Sequence, residues 1–168
     1  MLDGPESSRE PDGDRRYRVQ SVERALDTLD ALAAAGPDGA TLAELARSLG
    51  TSKSTVLALL AHLEDDHVAT LVARTGLPAR TQTTITDCDT LLRELAEIRT
   101  RGYAVDDEED SVGVFCVGAA VHDHRNVCVA GVSLTGLKQT LAPDGIDRLG
   151  AAVRHCASSI SRSLGASL

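Results

Sequence analysis

The sequence predicts two regions of different fold class, a small helical domain followed by an α+β domain. Three amphipathic segments fill residues 21–64, and in each of them apolar residues recur at helical spacing. Two runs with strand character, 113–121 and 126–134, then lie between two further amphipathic segments. A connection rich in Gly, Pro and Thr, residues 75–81, separates the regions.

The first region is predicted to hold three helices. Residues 21–35 form the first, which stops at a Gly-Pro-Asp-Gly turn. A capping box of Thr41 and Glu44 begins a second, short helix over 41–49. The third helix, residues 52–64, follows a turn that contains Gly50.

The second region is predicted to mix helices and strands. Asp87 can cap a helix whose apolar stripe ends near Gly102. The two strand runs are joined by the short segment 122–125, which predicts a hairpin. A last helix, residues 144–164, carries a periodic apolar face made of Ile146, Leu149, Val153, Cys156, Ile160 and Leu164.

Composition excludes several classes of protein. The 17 basic and 25 acidic residues leave a net charge of −8, so any contact with DNA is expected to be local rather than through bulk charge. No segment approaches the roughly 20 apolar residues of a membrane span, and the N-terminus lacks the apolar core of a signal peptide. Residues 1–16 are predicted to be a mobile tail. We therefore expect a cytoplasmic protein without membrane contact.

Motifs for catalysis are missing from the sequence. No nucleophile elbow and no glycine-rich phosphate loop occurs, so neither an enzyme nor a cofactor is predicted. The acidic run 106–110 lacks the spacing of a calcium loop and indicates a solvated turn. His122 and His124, near Cys116 and Cys128, are explained as a solvent-facing hairpin loop, and no metal site is predicted.

The helices 41–49 and 52–64 have the proportions of a helix-turn-helix. Packing Val56, Leu59, Leu60 and Leu63 inward would leave Lys53, Ser54, Ala58, Ala61 and His62 facing solvent. The candidate DNA-contacting residues are Thr51, Ser52, Lys53, Ser54, Thr55, Leu57, Ala58 and His62. The alternative interpretation is a plain bundle of three amphipathic helices.

Two sets of motifs resemble one bacterial family. Residues 17–26 (YRVQSVERAL), 42–46 (LAELA) and 52–60 (SKSTVLALL) are similar to the winged helix-turn-helix of IclR-type transcriptional regulators. Between residues 73 and 136, segments such as RGYAVDDEE, GVFCV and VSLTG resemble the later half of the effector-binding domain of that family, in the same order.

The resemblance implies a domain division and a set of partners. It implies a DNA-binding domain over 17–68 and a partial, GAF-like α+β effector-binding domain over 71–168, on a protein that binds double-stranded operator DNA. Homodimers or higher homo-oligomers are expected, as in the family. The wing, the linker helix and the first half of the effector domain are missing between Asp66 and Leu71. Ala58 also replaces an arginine usual in the family, which predicts weaker DNA binding.

The resemblance further implies that a small organic or aromatic acid binds at Asp106, Cys116, Ser133 and Thr135. From the residues alone, Cys116 fits a buried core thiol, and Ser133 and Thr135 merely alternate along one strand. Because half of the domain is missing, binding at millimolar concentration at best is expected. The alternative function is a ligand-binding or protein-interaction remnant that no longer binds DNA tightly.

Overall fold

The computed structural model describes residues 51–167, which form a three-stranded antiparallel sheet with helices packed on both faces. The predicted tail and the predicted helices 21–35 and 41–49 lie outside the described residues. In chain order the elements are α1 (Lys53–Leu60), α2 (Asp65–Thr75), α3 (Cys88–Arg101), β1 (Ala104–Asp107), β2 (Val114–His122), β3 (Cys128–Leu137), a short 3-10 helix (Lys138–Thr140) and α4 (Gly145–Ser163). Among the helices of the described segment, none is long and apolar enough to cross a membrane.

The sheet has the order β1-β2-β3, with β2 in the centre and every pair antiparallel. The predicted hairpin is confirmed, with strand ends within three residues of the prediction. In its turn the Asp123 carboxylate accepts hydrogen bonds from the amides of Arg125 and Val127, at 2.9 and 3.0 Å. A register shift after Val121 places His122 directly opposite Cys128.

Helix α4 covers one face of the sheet with apolar contacts. Its Val153 and Ala157 are buried against alternate residues of β2, namely Phe115, Val117, Ala119 and Val121. The predicted helix is confirmed, but its predicted apolar face is partly wrong, because Cys156, Ile160 and Leu164 are exposed. The helix turns the smaller residues Gly150, Ala157 and Ser161 toward the sheet and so packs closer to it.

Helix α1 covers the opposite face, and α3 packs against α1. Leu57 and Val56 of α1 pack in one core with Leu91 and Leu95 of α3. Two glycines of the sheet permit this close packing. A Cβ atom at Gly118 would lie 2.8 Å from the backbone of Ser54, and one at Gly131 would lie 2.4 Å from the Thr55 methyl group.

The environment of α1 corrects the prediction of an exposed helix. Lys53, Ser54, Ala58 and Ala61 were expected to face solvent, yet all four are buried, and Ser54 is fully buried. Leu63 was expected to be buried and is 40 % exposed, whereas His62 is exposed as predicted. The sheet and α3 contact nearly every side of this short helix, so seven of its eight residues are buried. Residues 51–67, the described part of the segment that the sequence assigns to the DNA-binding domain, thus include a helix that packs on the sheet.

Three elements were not predicted, namely α2, β1 and the 3-10 helix, and α3 was predicted closely. Helix α2 begins with two acidic residues and ends at Gly76, whose φ of 69° favours glycine. Only Val68 and Thr75 of it are buried, so its amphipathic pattern is weak. Strand β1 is only four residues long. Helix α3 confirms its prediction, because Asp87 caps it by accepting from the Thr90 amide at 2.8 Å and Gly102 ends it.

Candidate functional site

A row of polar side chains crosses the sheet on the face that α1 covers. Asp106 of β1 pairs with Cys116 of β2, and Cys116 pairs with Thr135 of β3, so the three are neighbours across the strands. Ser133 lies two residues from Thr135, opposite Gly118, and shares that face. Asp106 and Cys116 are buried, while Ser133 and Thr135 are exposed on the edge strand. We call these four residues the polar row. The row is buried at its β1 end and exposed to solvent at its β3 end.

The thiol of Cys116 joins the polar row to α1. Its sulfur lies 2.9 Å from the Ser54 hydroxyl and accepts a hydrogen bond from the Thr135 hydroxyl at 3.1 Å. Ser52 caps the same helix, its hydroxyl accepting from the Thr55 amide at 3.1 Å. The hydroxyls that the sequence suggested for phosphate contacts thus cap α1 or face the sheet.

A buried ion pair fastens the first residue of α1. The Lys53 ammonium lies 2.8 Å from the Glu109 carboxylate, and both side chains are almost completely buried. The same carboxylate oxygen accepts a hydrogen bond from the amide of Ile85 at 3.2 Å. Lys53 is the only cationic residue of the predicted recognition helix, and in this position its charge is already neutralised.

The acidic run around this ion pair corrects the prediction of a solvated turn. Asp106 is buried, and its carboxylate accepts from the amides of Glu109 and Asp110 at 2.9 and 3.3 Å. Burial raises the pKa of Asp106, while nearby Lys53 and the two hydrogen bonds partly oppose the rise. Glu109 is also buried. The turn therefore contributes buried charged groups beside the polar row.

A second cluster lies at the other end of β2. A ring nitrogen of His62, a ring nitrogen of His122 and the sulfur of Cys128 lie within 4.8 Å of one another. The two rings meet edge to face, with centroids 4.6 Å apart. From the sequence, His122 and Cys128 were considered together but no metal site was predicted, and His62, 60 positions before His122, was assigned to DNA contact. His124, the other histidine suggested by the sequence, is not part of this cluster.

The candidate DNA-contacting residues are not on a common surface in this structure. His62 is exposed, and Thr51 and Ser52 are half-buried. The other five are buried, namely Lys53, Ser54, Thr55, Leu57 and Ala58. DNA cannot reach these five side chains while α1 packs on the sheet. The four candidate effector-binding residues, in contrast, do lie together on one face.

Two family profiles match this chain, and their matched ranges overlap at α1. The profile described as Bacterial transcriptional regulator IclR C-terminal matches residues 52–162, which is most of the described α+β unit. The profile described as IclR helix-turn-helix domain matches residues 21–67. Residues 52–67, the segment that contains α1, are therefore matched by both profiles.

Individual relatives agree with this assignment. The HTH-type transcriptional repressor AllR of Escherichia coli K12 is 38% identical over 108 residues, which are 64% of this chain and 40% of AllR. The chain is thus similar to less than half of that repressor.

Solved structures extend the agreement to the fold. The Thermotoga maritima IclR structure has a TM-score of 0.60 and 37% identity, covering 67% of this chain and 46% of that one. The inducer-binding domain of Acinetobacter PobR, solved as a double mutant in complex with 3-hydroxybenzoic acid, has a TM-score of 0.60 and 26% identity, covering 64% of this chain and 62% of that one. With a family profile matched over more than half of its length, the chain belongs to the IclR family of bacterial transcriptional regulators.

Proposed function

We propose that this chain is a DNA-binding transcriptional regulator whose α+β unit senses a small organic acid. The proposal rests on one segment that matches both family profiles. Residues 52–67 match the helix-turn-helix profile, and the same residues provide the helix that covers the polar row. The helix α1 then has two alternative positions, one on the sheet and one against DNA.

The two positions exclude each other for a physical reason. On the sheet, Lys53 is paired with Glu109 and Ser54 contacts Cys116, so neither side chain has a free group for phosphate. Moving α1 to DNA exposes Leu57 and its core neighbours to water, which costs free energy. A ligand that binds one arrangement more tightly shifts the balance between them, which is the form that regulation takes in this proposal.

The proposed ligand is a small carboxylic acid, aromatic or aliphatic. Ser133 and Thr135 offer exposed hydroxyls at the open end of the polar row, and Cys116 on β2 and Asp106 on β1 continue the row beside them. The related PobR domain, whose structure contains 3-hydroxybenzoic acid, supports an aromatic acid as the first compound to test. Because three strands enclose only part of a binding site, we propose affinity in the millimolar range.

A second candidate function rests on the same burial. In it, α1 never leaves the sheet, and the chain is a ligand-binding or protein-interaction module that does not bind DNA tightly. The buried Lys53–Glu109 pair favours this alternative, because separating the two partners requires both charges to change environment.

A disulfide that holds α1 on the sheet distinguishes the two functions. The Ser54 hydroxyl lies 2.9 Å from the Cys116 sulfur, so Ser54→Cys brings two thiols within bonding range. Replacing Cys88 and Cys156 by serine removes the thiols at the surface of α3 and α4. Binding is measured by mobility shift on the duplex upstream of the gene, at low and moderate salt, before and after reduction. The matched control is the same background with Ser54 retained.

Each outcome decides between the functions. We expect the oxidised variant to lose DNA binding, the reduced variant to regain it, and the control to be insensitive to reduction. Equal binding by the oxidised and reduced variants would show that α1 does not contact DNA. Absence of binding in every form at low salt, where phosphate contacts are strongest, would establish the second function.

Ligand binding is tested by calorimetry with 3-hydroxybenzoate and short carboxylic acids. We expect weak binding that Ser133→Ala and Asp106→Asn abolish. Ser163→Ala is the control, because Ser163 is exposed on α4 and away from the polar row. Binding that survives both variants would place the ligand elsewhere.

We also propose a homodimer in the cytoplasm, acting without catalysis. Strand β3 is an edge of the sheet, and Leu134 and Leu137 on it are exposed. Such an edge pairs readily with a second copy. Light scattering at micromolar concentration is expected to give twice the mass of the chain, and Leu134→Lys is expected to reduce it. A stable monomer of the unchanged protein would contradict the dimer.

A further inference from the structure

The cluster of His62, His122 and Cys128 is built by three separate segments that meet at one end of the sheet. His122 and Cys128 are opposite residues of β2 and β3, an arrangement that depends on the register shift after Val121. His62 follows the end of α1 and brings its ring against that of His122. The three potential ligand atoms lie within 4.8 Å of one another.

The backbone around each histidine is held in place. The Arg99 guanidinium donates to the carbonyls of Ala61 and Leu63, at 2.7 and 3.0 Å, and so grips the chain on both sides of His62. The amide of His122 donates to the buried Ser161 hydroxyl at 2.9 Å. These contacts fix the positions from which the two rings project, as a preformed site requires.

The three side chains offer the donors that borderline metal ions prefer. Burial lowers the pKa of His62, and the neighbouring charges of His122 and Arg99 lower it further. Burial also lowers the pKa of His122, although Asp123 opposes this. A neutral imidazole ring has a lone pair free to coordinate a metal ion. Burial raises the pKa of the Cys128 thiol to about 11, so this group is protonated until a metal displaces the proton.

We propose that His62, His122 and Cys128 bind one Zn²⁺ ion, with solvent in the fourth position. Imidazole and thiolate together favour Zn²⁺ over hard cations such as Mg²⁺ or Ca²⁺. Zinc bonds of roughly 2.0–2.3 Å need the ligand atoms to approach by about 1 Å, which rotation of the half-buried Cys128 and the exposed His62 supplies. The exposed side of His62 leaves room for the water molecule.

Binding exchanges one proton for the metal. The S–H bond of Cys128 breaks, an S–Zn bond forms, and the proton passes to solvent, while the two imidazoles coordinate without losing protons. The zinc-bound thiolate has no proton left to donate to the Ala130 carbonyl, which lies 3.7 Å from the sulfur. The bound ion would connect the end of α1 to the β2–β3 hairpin. This inference is independent of whether the chain binds DNA.

The test uses the full chain, stripped of metal and fully reduced. Zn²⁺ is titrated in competition with a chromogenic chelator, and Co²⁺ is bound in place of Zn²⁺ to report on the ligands. We expect one ion per chain, release of close to one proton at pH 7.5, and a thiolate-to-cobalt charge-transfer band. An excess of Zn²⁺ is also expected to raise the thermal midpoint, because the ion binds the folded state.

Variants connect the signal to the three residues. Cys128→Ser, His122→Gln and His62→Gln are each expected to weaken Zn²⁺ binding by at least about 100-fold. Two matched controls are expected to bind normally: His124→Gln in the same turn and Cys156→Ser on the exposed side of α4. Unchanged affinity in the three variants, or bound cobalt without the charge-transfer band, would overturn the proposal.

A second measurement keeps the proposal testable if a variant does not fold. The unchanged protein is treated with iodoacetamide with and without Zn²⁺, and the modified cysteines are identified by peptide mass mapping. We expect Zn²⁺ to slow modification of Cys128 at least tenfold and to leave exposed Cys156 unaffected. Equal modification of Cys128 in both samples would contradict the site.

Discussion

The two faces of the sheet are covered in different ways. On one face α4 makes an apolar contact, with Val153 and Ala157 against the alternate large residues of β2. On the other face the first turn of α1 brings Lys53, Ser54 and Thr55, all buried, over a sheet surface that contains Asp106 and Cys116.

The difference shows where the fold can respond to its surroundings. An apolar contact depends little on pH or on small polar ligands. Buried hydroxyls, a thiol and an ion pair depend strongly on whether each group keeps its partner. The α4 contact is therefore insensitive to such changes, whereas the α1 contact depends on each buried polar group keeping its partner.

The largest loss of stability is expected from breaking the Lys53–Glu109 ion pair on the α1 face. Lys53→Met leaves the Glu109 carboxylate buried without its cation and is expected to lower the free energy of unfolding by about 3–5 kcal/mol. Urea denaturation followed by circular dichroism measures the loss. Lys138→Met is the control, because the ion pairs of Lys138 with Asp107 and Glu108 are much more exposed and are expected to matter far less. Equal losses would mean that Lys53 is solvated.

A second substitution tests how α1 contributes to the core. Leu57 is fully buried between the sheet and α3, so Leu57→Ala is expected to cost about 3 kcal/mol in the same assay. Leu63, 40 % exposed just beyond the helix, provides the control. A Leu57→Ala variant as stable as Leu63→Ala would place α1 away from the sheet in solution.

A third substitution, made in the sheet, weakens the packing of α1 while leaving the sequence of α1 unchanged. Gly118→Ala places a Cβ atom 2.8 Å from the backbone of Ser54, and because that atom is backbone the helix itself must shift. We expect a loss of about 2 kcal/mol and faster hydrogen exchange of the α1 amides. Gly150→Ala on the α4 face places its Cβ atom closest to the ring of Tyr103 rather than to α1, so α1 exchange is expected to stay unchanged. Faster exchange in both variants would contradict a local effect.

The smallest expected effect is the contribution of Asp106 to the pH dependence of stability. Burial raises the pKa of this carboxyl above its unfolded value, so the folded state binds its proton more tightly. The stability contribution of the protonated form is present below the unfolded pKa and is lost as pH rises through the folded pKa. Asp106→Asn is therefore expected to increase stability at pH 7, and the gain over the unchanged protein is expected to disappear in acid. A variant less stable at pH 7 would show that the charge is favourable.

Elements with strong local signals were predictable from the sequence. Helix α3 has a capping Asp87 and a terminal Gly102, and both ends of the helix are where these residues predict them. The hairpin was also predicted, although its strands extend a little further along the chain. Helix α2 was missed because it buries only Val68 and Thr75, so its apolar stripe is too sparse to recognise.

Contacts between distant residues were beyond the reach of local patterns. The sequence of α1 fits two structures, since a helix starting Ser-Lys-Ser suits both a recognition helix and the helix above this sheet. Only the partners Glu109 and Cys116, more than 50 positions away, reveal which residues are buried here. The same holds for His62, whose approach to His122 depends on the packing of α1.

The separation between α1 and its sheet partners also affects the order of events during synthesis. Ser54 leaves the ribosome 62 residues before Cys116, which at 5–20 residues per second is a delay of roughly 3–12 s. An isolated helix of eight residues is marginal in water, so α1 gains its buried contacts only once the sheet has been made. During those seconds its available neighbours along the chain are residues 21–50, the rest of the segment that matches the helix-turn-helix profile. Translation speed therefore sets how long residues 53–60 wait before the sheet that α1 packs on can form.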